Sequence, residues 1–350
     1  MNTGKLTALT LALALTLSLA GCTTPAVPTP TPPPSPAPTA TATPTPAPTA
    51  TPTAERTPVS IAMLKGPTGM GAAKLMADDE AGSTANDYTF TLAAAPDEIV
   101  GKIVSGEFDL AAVPTNLAAT LAAKTKGGVQ VIALNTLGVL YILEKGETVK
   151  SMADLKGKTI YATGQAANPE YVLNHLLVEN GLTPGSDVTI VWKTSEELTA
   201  LMASGEIDLC MLPVPAATAV LMKNKDLRPA LDLTREWDAL KNGSTLTMGC
   251  VVAQTKFIAE HPEALASFLA DYAASIDYVK NNAEAPALVA QFGITPNEQI
   301  AKAAIPQANL VCITGGDMQP ALQGYYEVLW QAEPKSIGGS IPNDTFYYAP

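Results

Sequence analysis

The stretch Ser105–Pro114, SGEFDLAAVP, recurs without a gap as Ser204–Pro213, SGEIDLCMLP. Each copy has the pattern of a helix end, a turn and a strand. Gly106 and Gly205 are suited to end a helix in the left-handed conformation, and an acidic residue stands at the entry of each strand. An internal repeat of one helix-turn-strand unit predicts two similarly built lobes.

Short apolar runs alternate with amphipathic segments on either side of this repeat, which is the pattern of an α/β protein with mostly parallel sheets flanked by helices. The predicted strands are Val59–Leu64, Tyr88–Ala93, Phe108–Val113, Thr159–Thr163, Val188–Trp192 and Ile207–Leu212. The predicted helices between them are Gly69–Met76, Asp97–Ser105, Pro169–Glu179 and Ser195–Ala203.

The N-terminus, residues 1–22, has the features of a secretory signal. Lys5 precedes the apolar run Leu6–Ala20, which is shorter than a membrane span requires. The run ends in Leu19-Ala20-Gly21-Cys22, which resembles the bacterial lipobox, where the cysteine is acylated. We therefore expect an extracytoplasmic protein that is anchored to the membrane through a lipid on Cys22.

Residues 23–58 consist almost entirely of Pro, Thr and Ala, and they hold 13 of the 29 prolines. Such a composition cannot bury enough apolar surface to offset the chain entropy. We expect a disordered, extended stalk between the anchor and the folded part. Sugars on its threonines are an open alternative.

Charge and cysteine content exclude several function classes. The formal net charge is −12 and the basic residues form no cluster, which argues against nucleic acid as a partner. Cys210, Cys250 and Cys312 have no metal-ligand spacing, so we expect no metal and no cofactor. We interpret them as small buried side chains and leave open a disulfide between two of them.

From about residue 58 onward the chain resembles the type II periplasmic solute-binding proteins of ABC importers, in the branch of nitrate, sulfonate, taurine and thiamine-precursor binders. The resemblance rests on Ile61–Gly69, the two Gly-Glu-x-Asp-Leu units, Leu155–Lys158, and Ala253–Thr255 before His261-Pro262. It implies two lobes joined by a two-strand hinge. Lobe one would comprise residues 58–137 and 249–350, and lobe two residues 138–248.

The resemblance also places the hinge crossings near Thr136–Leu140 and Leu246–Val251. The helical segments Pro262–Lys280 and Met318–Trp330 would then return to pack on lobe one. The implied partners are a small-molecule ligand and the permease subunits of an ABC transporter.

Ligands of open parallel sheets bind beyond the carboxyl ends of the strands, where helix N-termini present free N–H groups. On this ground and on the resemblance, the predicted ligand-binding residues are Lys65, Gly66, Pro67, Thr68, Gly69, Pro114, Thr115, Asn116, Thr136, Thr163, Gly164, Gln165, Tyr171, Pro213, Val214 and Pro215. Lys65 is the obvious cation among them, and Tyr171 or Trp192 would cover an apolar face of the ligand.

No catalytic arrangement is apparent. Gly66–Gly71 lacks the Gly-Lys-Ser/Thr ending of a phosphate loop. His175 and His261 are the only histidines, lie far apart in the sequence and have no adjacent cysteine. The acidic segment Asp232–Asp238 is expected to be a solvated surface. Transport is the favoured function, with an enzyme or a sensor domain on the same fold as the alternative.

Overall fold

Two β-sheets organise residues 56–349, which are the residues that the computed structural model describes. The predicted signal peptide, the Cys22 anchor and nearly all of the stalk lie outside them. In chain order the strands are β1 Thr57–Leu64, β2 Asn86–Ala93, β3 Leu110–Pro114, β4 Val129–Leu137, β5 Leu140–Lys145, β6 Thr159–Ala162, β7 Thr189–Trp192, β8 Leu209–Pro213, β9 Leu227–Asp232, β10 Thr247–Gln254 and β11 Leu310–Ile313.

Helices cover both sheets. They are α1 Pro67–Met70, α2 Ala73–Glu80, α3 Asp97–Ser105, α4 Thr115–Thr125, α5 Asn168–Glu179, α6 Ser195–Ser204, α7 Ala216–Lys223, α8 Leu233–Ala239, α9 Thr255–Glu260, α10 Pro262–Asn281, α11 Ala285–Gln291, α12 Glu298–Ala304 and α13 Met318–Ala332. No helix within residues 56–349 has the length and hydropathy of a membrane span.

The two sheets have the same plan. The first sheet has the strand order β11-β4-β10-β3-β1-β2, and the second has the order β7-β6-β8-β5-β9. We call the first sheet with its helices lobe one and the second lobe two. Strands β3 and β8, which carry the two copies of the repeat, hold equivalent places in them. The predicted two-lobed α/β fold is confirmed.

Both sheets are mixed, whereas the sequence suggested mostly parallel ones. In lobe one, β1 is parallel to β2 and β3, and β10 runs antiparallel to β3 and β4. In lobe two, β6 is parallel to β7 and β8, and β5 is antiparallel to β8 and β9. The reason is the connection between the lobes: β5 and β10 are the first strands after a crossing. Each therefore starts at the edge where the parallel strands end.

The turns of the repeat are built as the sequence suggests. Gly106 has φ 78° and Gly205 has φ 77°, so each ends its helix in the left-handed conformation. The Asp109 carboxylate accepts hydrogen bonds from the backbone N–H and the hydroxyl of Ser60, at 2.8 and 2.7 Å. This pair of bonds ties the entry of β3 to β1.

Three predicted elements differ from the structure. The helix expected over Gly69–Met76 is divided into α1 and α2. Gly71 lies between them, where a Cβ would be 2.6 Å from Ile276 of α10, so this close approach requires a glycine. The segment Asp232–Asp238 is largely α8, whose Trp237 is fully buried rather than solvated. Helix α13 contacts both lobes rather than lobe one alone, because its Tyr325 reaches α5.

Candidate functional site

The candidate site is a cavity of about 860 Å³ between the lobes, where the carboxyl ends of the parallel strands face each other. Its volume lies within the range of small-molecule sites in proteins. The lining residues are Lys65, Gly66, Pro67, Ala94, Ser195, Glu196, Thr199, Ala200, Pro213, Val214, Pro215, Ala216, Ala219, Lys223, Ala290, Gly293, Ile294, Thr295, Pro296, Asn297 and Ile300.

The turn after β1 forms one wall in lobe one. Gly66 has φ 88°, a conformation that favours glycine. Its N–H donates to the carbonyl of Ile294 at 3.2 Å, which fixes the turn against the segment before α12. A Cβ at Gly66 would lie 3.7 Å from Cδ of Pro215, so the turns of the two lobes meet here.

Helix α6 forms one wall in lobe two. Thr194 caps it in a reciprocal arrangement: the Thr194 hydroxyl accepts from the N–H of Glu197, whose carboxylate accepts from the N–H of Thr194. This cap orients Ser195, Glu196 and Thr199 toward the cavity. Behind the wall, the hydroxyls of Thr163 and Ser195 are 3.2 Å apart.

Helix α7 completes the wall of lobe two, after the cis peptide bond between Val214 and Pro215. Ala216, Ala219 and Lys223 share one face of this helix by their spacing and line the cavity. The two alanines leave room, while Lys223 supplies a cation beside the space that they leave.

A third wall comes from the segment between α11 and α12 of lobe one. Ile294, Thr295 and Ile300 are each no more than 9% exposed, and all line the cavity. Nothing in the sequence predicts this wall, because the segment follows a helix and not a strand.

The charges and dipoles of the site favour an anion. Lys65 and Lys223 are exposed cations on opposite lobes. The N-termini of α6 and α7 add partial positive charge on the same side. Glu196 is the acidic side chain of the lining, and its negative charge opposes the binding of an anion. The lining contains no histidine and no cysteine, and residues 56–349 hold no cluster of His, Cys, Asp and Glu suited to a metal.

Of the predicted ligand-binding residues, those at the ends of β1 and β8 and directly after them line the cavity: Lys65, Gly66, Pro67, Pro213, Val214 and Pro215. Thr68 and Gly69 continue into α1. The carbonyl of Thr68 accepts a hydrogen bond from the Asn135 amide at 3.0 Å, and a Cβ at Gly69 would meet the carbonyl oxygen of Leu64 at 2.5 Å. These two residues shape the turn and do not line the cavity.

The predicted residues after β3 and on β4 lie deeper in lobe one. Thr115, directly after Pro114, is fully buried, and the Asn116 amide donates to the carbonyl of Ser336 at 3.3 Å. Thr136 is buried in β4, where its hydroxyl donates to Asn135. The C-terminal segment around Ser336 covers the start of α4, and no strand-end rule anticipates such a cover.

In lobe two, the predicted residues after β6 lie beside the cavity and not in its lining. Thr163 supports Ser195, Gly164 turns the chain with φ 85°, and Gln165 is exposed. Tyr171 is half-buried on α5. Burial raises the pKa of Tyr171, and the carboxylates of Glu170 and Glu333 add to this effect.

The three cysteines of lobes one and two are free thiols, so no disulfide joins them. Burial raises the pKa of Cys210 to about 12, and burial also raises the pKa values of Cys250 and Cys312. Because the thiolate is the reactive form of cysteine, these groups are poor nucleophiles.

Several solved structures share this fold. The chain is similar to an ABC transporter protein from Parabacteroides distasonis, with 20% identity and a TM-score of 0.70 over 83% of this chain and 99% of that one. It is similar to the periplasmic aliphatic sulphonate binding protein SsuA of Escherichia coli, with 15% identity and a TM-score of 0.66 over 85% and 93%. The desulfurization enzyme DSZB has the same fold, with 13% identity and a TM-score of 0.59 over 84% and 97%.

No curated protein sequence matches the chain significantly. The family model described as NMT1/THI5 like matches residues 91–286. This range is more than half of the chain and includes both copies of the repeat and both crossings between the lobes. The chain belongs to the NMT1/THI5 like family.

Proposed function

We propose that this chain is the extracytoplasmic solute-binding component of an ABC importer. It captures a small polar or anionic organic molecule between its lobes and delivers it to the permease subunits. The observation that carries the proposal is the cavity at the facing carboxyl ends of two sheets, lined from both lobes. A ligand that contacts both walls stabilises the arrangement in which the lobes lie close together, because only in that arrangement can it contact both lobes.

The ligand class follows from the lining. Lys65, Lys223 and two helix N-termini favour a negatively charged group, while Ala, Pro and Ile side chains favour a short apolar body. The likeness to a sulphonate-binding protein is consistent with this class. Glu196 can additionally hold an ammonium group, so zwitterions such as aminosulfonates belong in the same screen.

The test is calorimetric titration of the purified chain with sulfonates, aminosulfonates, inorganic anions, pyrimidines and amino acids. For an anionic ligand, Lys65→Gln and Lys223→Gln should each weaken binding by about tenfold, which corresponds to about 1.4 kcal/mol. Lys225→Gln is the matched control, because Lys225 is an exposed lysine close to α7 that does not line the cavity.

Two results would contradict this proposal. Equal loss of affinity in all three lysine variants would mean that only the net charge matters. Tight binding of a ligand that no cavity variant affects would place the site elsewhere.

We also propose that a lipid on Cys22 anchors the protein to the cell membrane. Cys22→Ala should move the protein from the membrane fraction to the soluble fraction, since Cys22 is the one cysteine in the N-terminal segment. Retention of this variant in washed membranes would refute the anchor. Cys312→Ala, which changes a cysteine of the folded part, is the control.

An enzyme is the second candidate, because the fold is shared with the desulfurization enzyme DSZB. The lining favours binding over catalysis: Ser195, Thr199 and Thr295 are its hydroxyl side chains, and it holds no histidine to activate them. Mass spectrometry of a bound ligand after long incubation separates the two functions. A binding protein returns the ligand unchanged.

A further inference from the structure

The lobes also meet away from the cavity, at Asn168. This residue begins α5 of lobe two and is 1% exposed. Its amide nitrogen donates to the hydroxyl of Thr115 at 3.0 Å and to the carbonyl of Met248 at 3.2 Å. Its amide oxygen accepts from the hydroxyl of Tyr325 at 3.1 Å. All three partners belong to lobe one.

These partners are themselves held in place by lobe one. The Thr115 hydroxyl donates to the carbonyl of Thr247 at 2.7 Å, and the hydroxyl of Tyr326 donates to the carbonyl of Thr115 at 2.9 Å. Asn168 therefore fits a preformed arrangement of donors and acceptors. Its hydrogen bonds are neutral and buried, so none is weakened by salt.

Aromatic packing seals the same contact. The ring of Trp237 in lobe two lies 5.6 Å from the ring of Tyr325, and both side chains are fully buried. This side of the boundary between the lobes is closed, whereas the cavity side is open and lined by small residues. A rotation that widens the cavity must act against the Asn168 contact.

The position of the partners indicates how such a rotation would proceed. Met248 lies on β10 directly after the return crossing, so its distance from Asn168 changes least. Thr115 begins α4 and its hydroxyl is bonded to Thr247 beside the same crossing, whereas Tyr325 lies on α13. Opening should therefore break the bond from Tyr325 before the other two and expose the Asn168 amide to water.

We propose that Asn168 is a positioning residue that sets the resting separation of the two lobes without touching the ligand. Asn168 does not line the cavity. It acts on the cavity by holding the wall of lobe two at a fixed distance from the wall of lobe one. Its effect on binding rests on the proposed function, whereas its effect on the lobe separation does not.

The test measures this separation in the full-length chain with no ligand present. Spin labels are introduced through non-natural amino acids at Asp97 in lobe one and Lys225 in lobe two, which are both exposed. Pulsed electron paramagnetic resonance then gives the distance distribution. Asn168→Ala should raise the ratio of the longer to the shorter distance by at least about tenfold, since it removes all three hydrogen bonds that Asn168 makes to lobe one.

Matched variants separate positioning from general loss of stability. Thr115→Val removes the hydroxyl and should lengthen the distance, and Thr115→Ser keeps the hydroxyl and should retain the parent distribution. Tyr325→Phe keeps the buried ring and removes one bond, so it should give an intermediate shift. If Asn168→Ala does not fold, the distance distribution of Tyr325→Phe tests the proposal in its place.

The proposal is overturned if folded Asn168→Ala and Tyr325→Phe both give the parent distance distribution. It is also overturned if Thr115→Ser and Thr115→Val lengthen the distance equally, because packing and not the hydroxyl would then matter. The distance distributions are measured without ligand, so they test this proposal even if no ligand is found. The proposed function and this proposal can therefore fail independently.

Discussion

At the scale of single residues, the ion pair between Arg228 and Glu144 is the clearest determinant of stability. The Glu144 side chain is 5% exposed and that of Arg228 is 32% exposed. Burial alone would raise the pKa of Glu144. Hydrogen bonds from Thr148 and Val149, together with the Arg228 guanidinium, outweigh it and hold this pKa below its usual range.

Arg228→Met should lower the free energy of unfolding by about 2–3 kcal/mol, because it leaves a buried carboxylate without its cation. Urea denaturation measures this change. Lys102→Met is the matched control: its pair with Glu107 is about half exposed on both sides, so its loss should cost at most about 1 kcal/mol. Equal losses in the two variants would contradict the argument.

His175 predicts a pH dependence of stability. Burial lowers its pKa, against the opposing effect of the Glu179 carboxylate, and its Nε2 atom is buried without a hydrogen-bond partner beside the ring of Trp237. The folded state thus takes up the proton less readily than the unfolded state does. Protonation of this histidine has no effect on stability above about pH 7.5 and destabilises the fold as the pH falls through about 6.5, its unfolded value.

Thermal unfolding between pH 8 and pH 5 tests this expectation. His175→Gln should flatten the acid-side decline in melting temperature, whereas His261→Gln, which changes an exposed histidine, should retain it. A parallel decline in the parent chain and in His175→Gln would assign the acid sensitivity to other groups.

Single residues of the site were predictable only where they lie at or after the carboxyl end of a strand, where ligands of parallel sheets bind. Lys65 follows β1 and Pro213 ends β8, both strands end at the cleft, and both residues line the cavity. Ser195 follows β7 by the same rule and could have been predicted. Ile294 and Thr295 could not, because they reach the cavity through the packing of α11 and α12, which leaves no local pattern in the sequence.

At the scale of the elements, the crossing between β4 and β5 is the most constrained. A Cβ at Gly138 would lie 2.1 Å from the Thr234 hydroxyl and 2.9 Å from Leu246. On its other side, the carbonyl of Gly138 accepts a hydrogen bond from the Asn309 amide at 2.5 Å. The crossing is therefore packed between α8, the return segment and the start of β11.

Gly138→Ala should destabilise the protein by about 1–3 kcal/mol, because the neighbours must move to admit one methyl group. Gly101→Ala is the control. This exposed glycine lies inside α3 with nothing near its Cβ position, so alanine should stabilise the helix by about 0.5–1 kcal/mol. Chemical denaturation compares the two, and a neutral Gly138→Ala would indicate that the crossing is loosely packed.

The elements themselves were largely predictable, since their signals are local. The repeated turn gave β3 and β8 their equivalent places, and α3 begins and ends at the predicted residues Asp97 and Ser105. The antiparallel strands β5 and β10 were not anticipated, because strand direction depends on where the chain crosses between the lobes and not on the residues of the strand.

At the scale of the whole molecule, ligand binding and stability should be linked. A ligand that binds only the folded protein stabilises it by about 2.7 kcal/mol at a hundredfold excess over its Kd. For a chain of this size the melting temperature should rise by roughly 2–4 °C.

Ligand addition should also reduce the radius of gyration of the Asn168→Ala variant, which small-angle scattering measures. An unchanged radius would contradict capture by closure.

The direction of β1 separates the start of the folded chain from the cavity. This strand begins beside Arg56, whose guanidinium is paired with Asp79, and ends at the cavity. Its eight residues span about 26 Å. Everything that precedes Arg56 joins the fold at the end of lobe one remote from the cavity mouth. The N-terminal end of β1 and the cavity therefore lie at opposite ends of this strand.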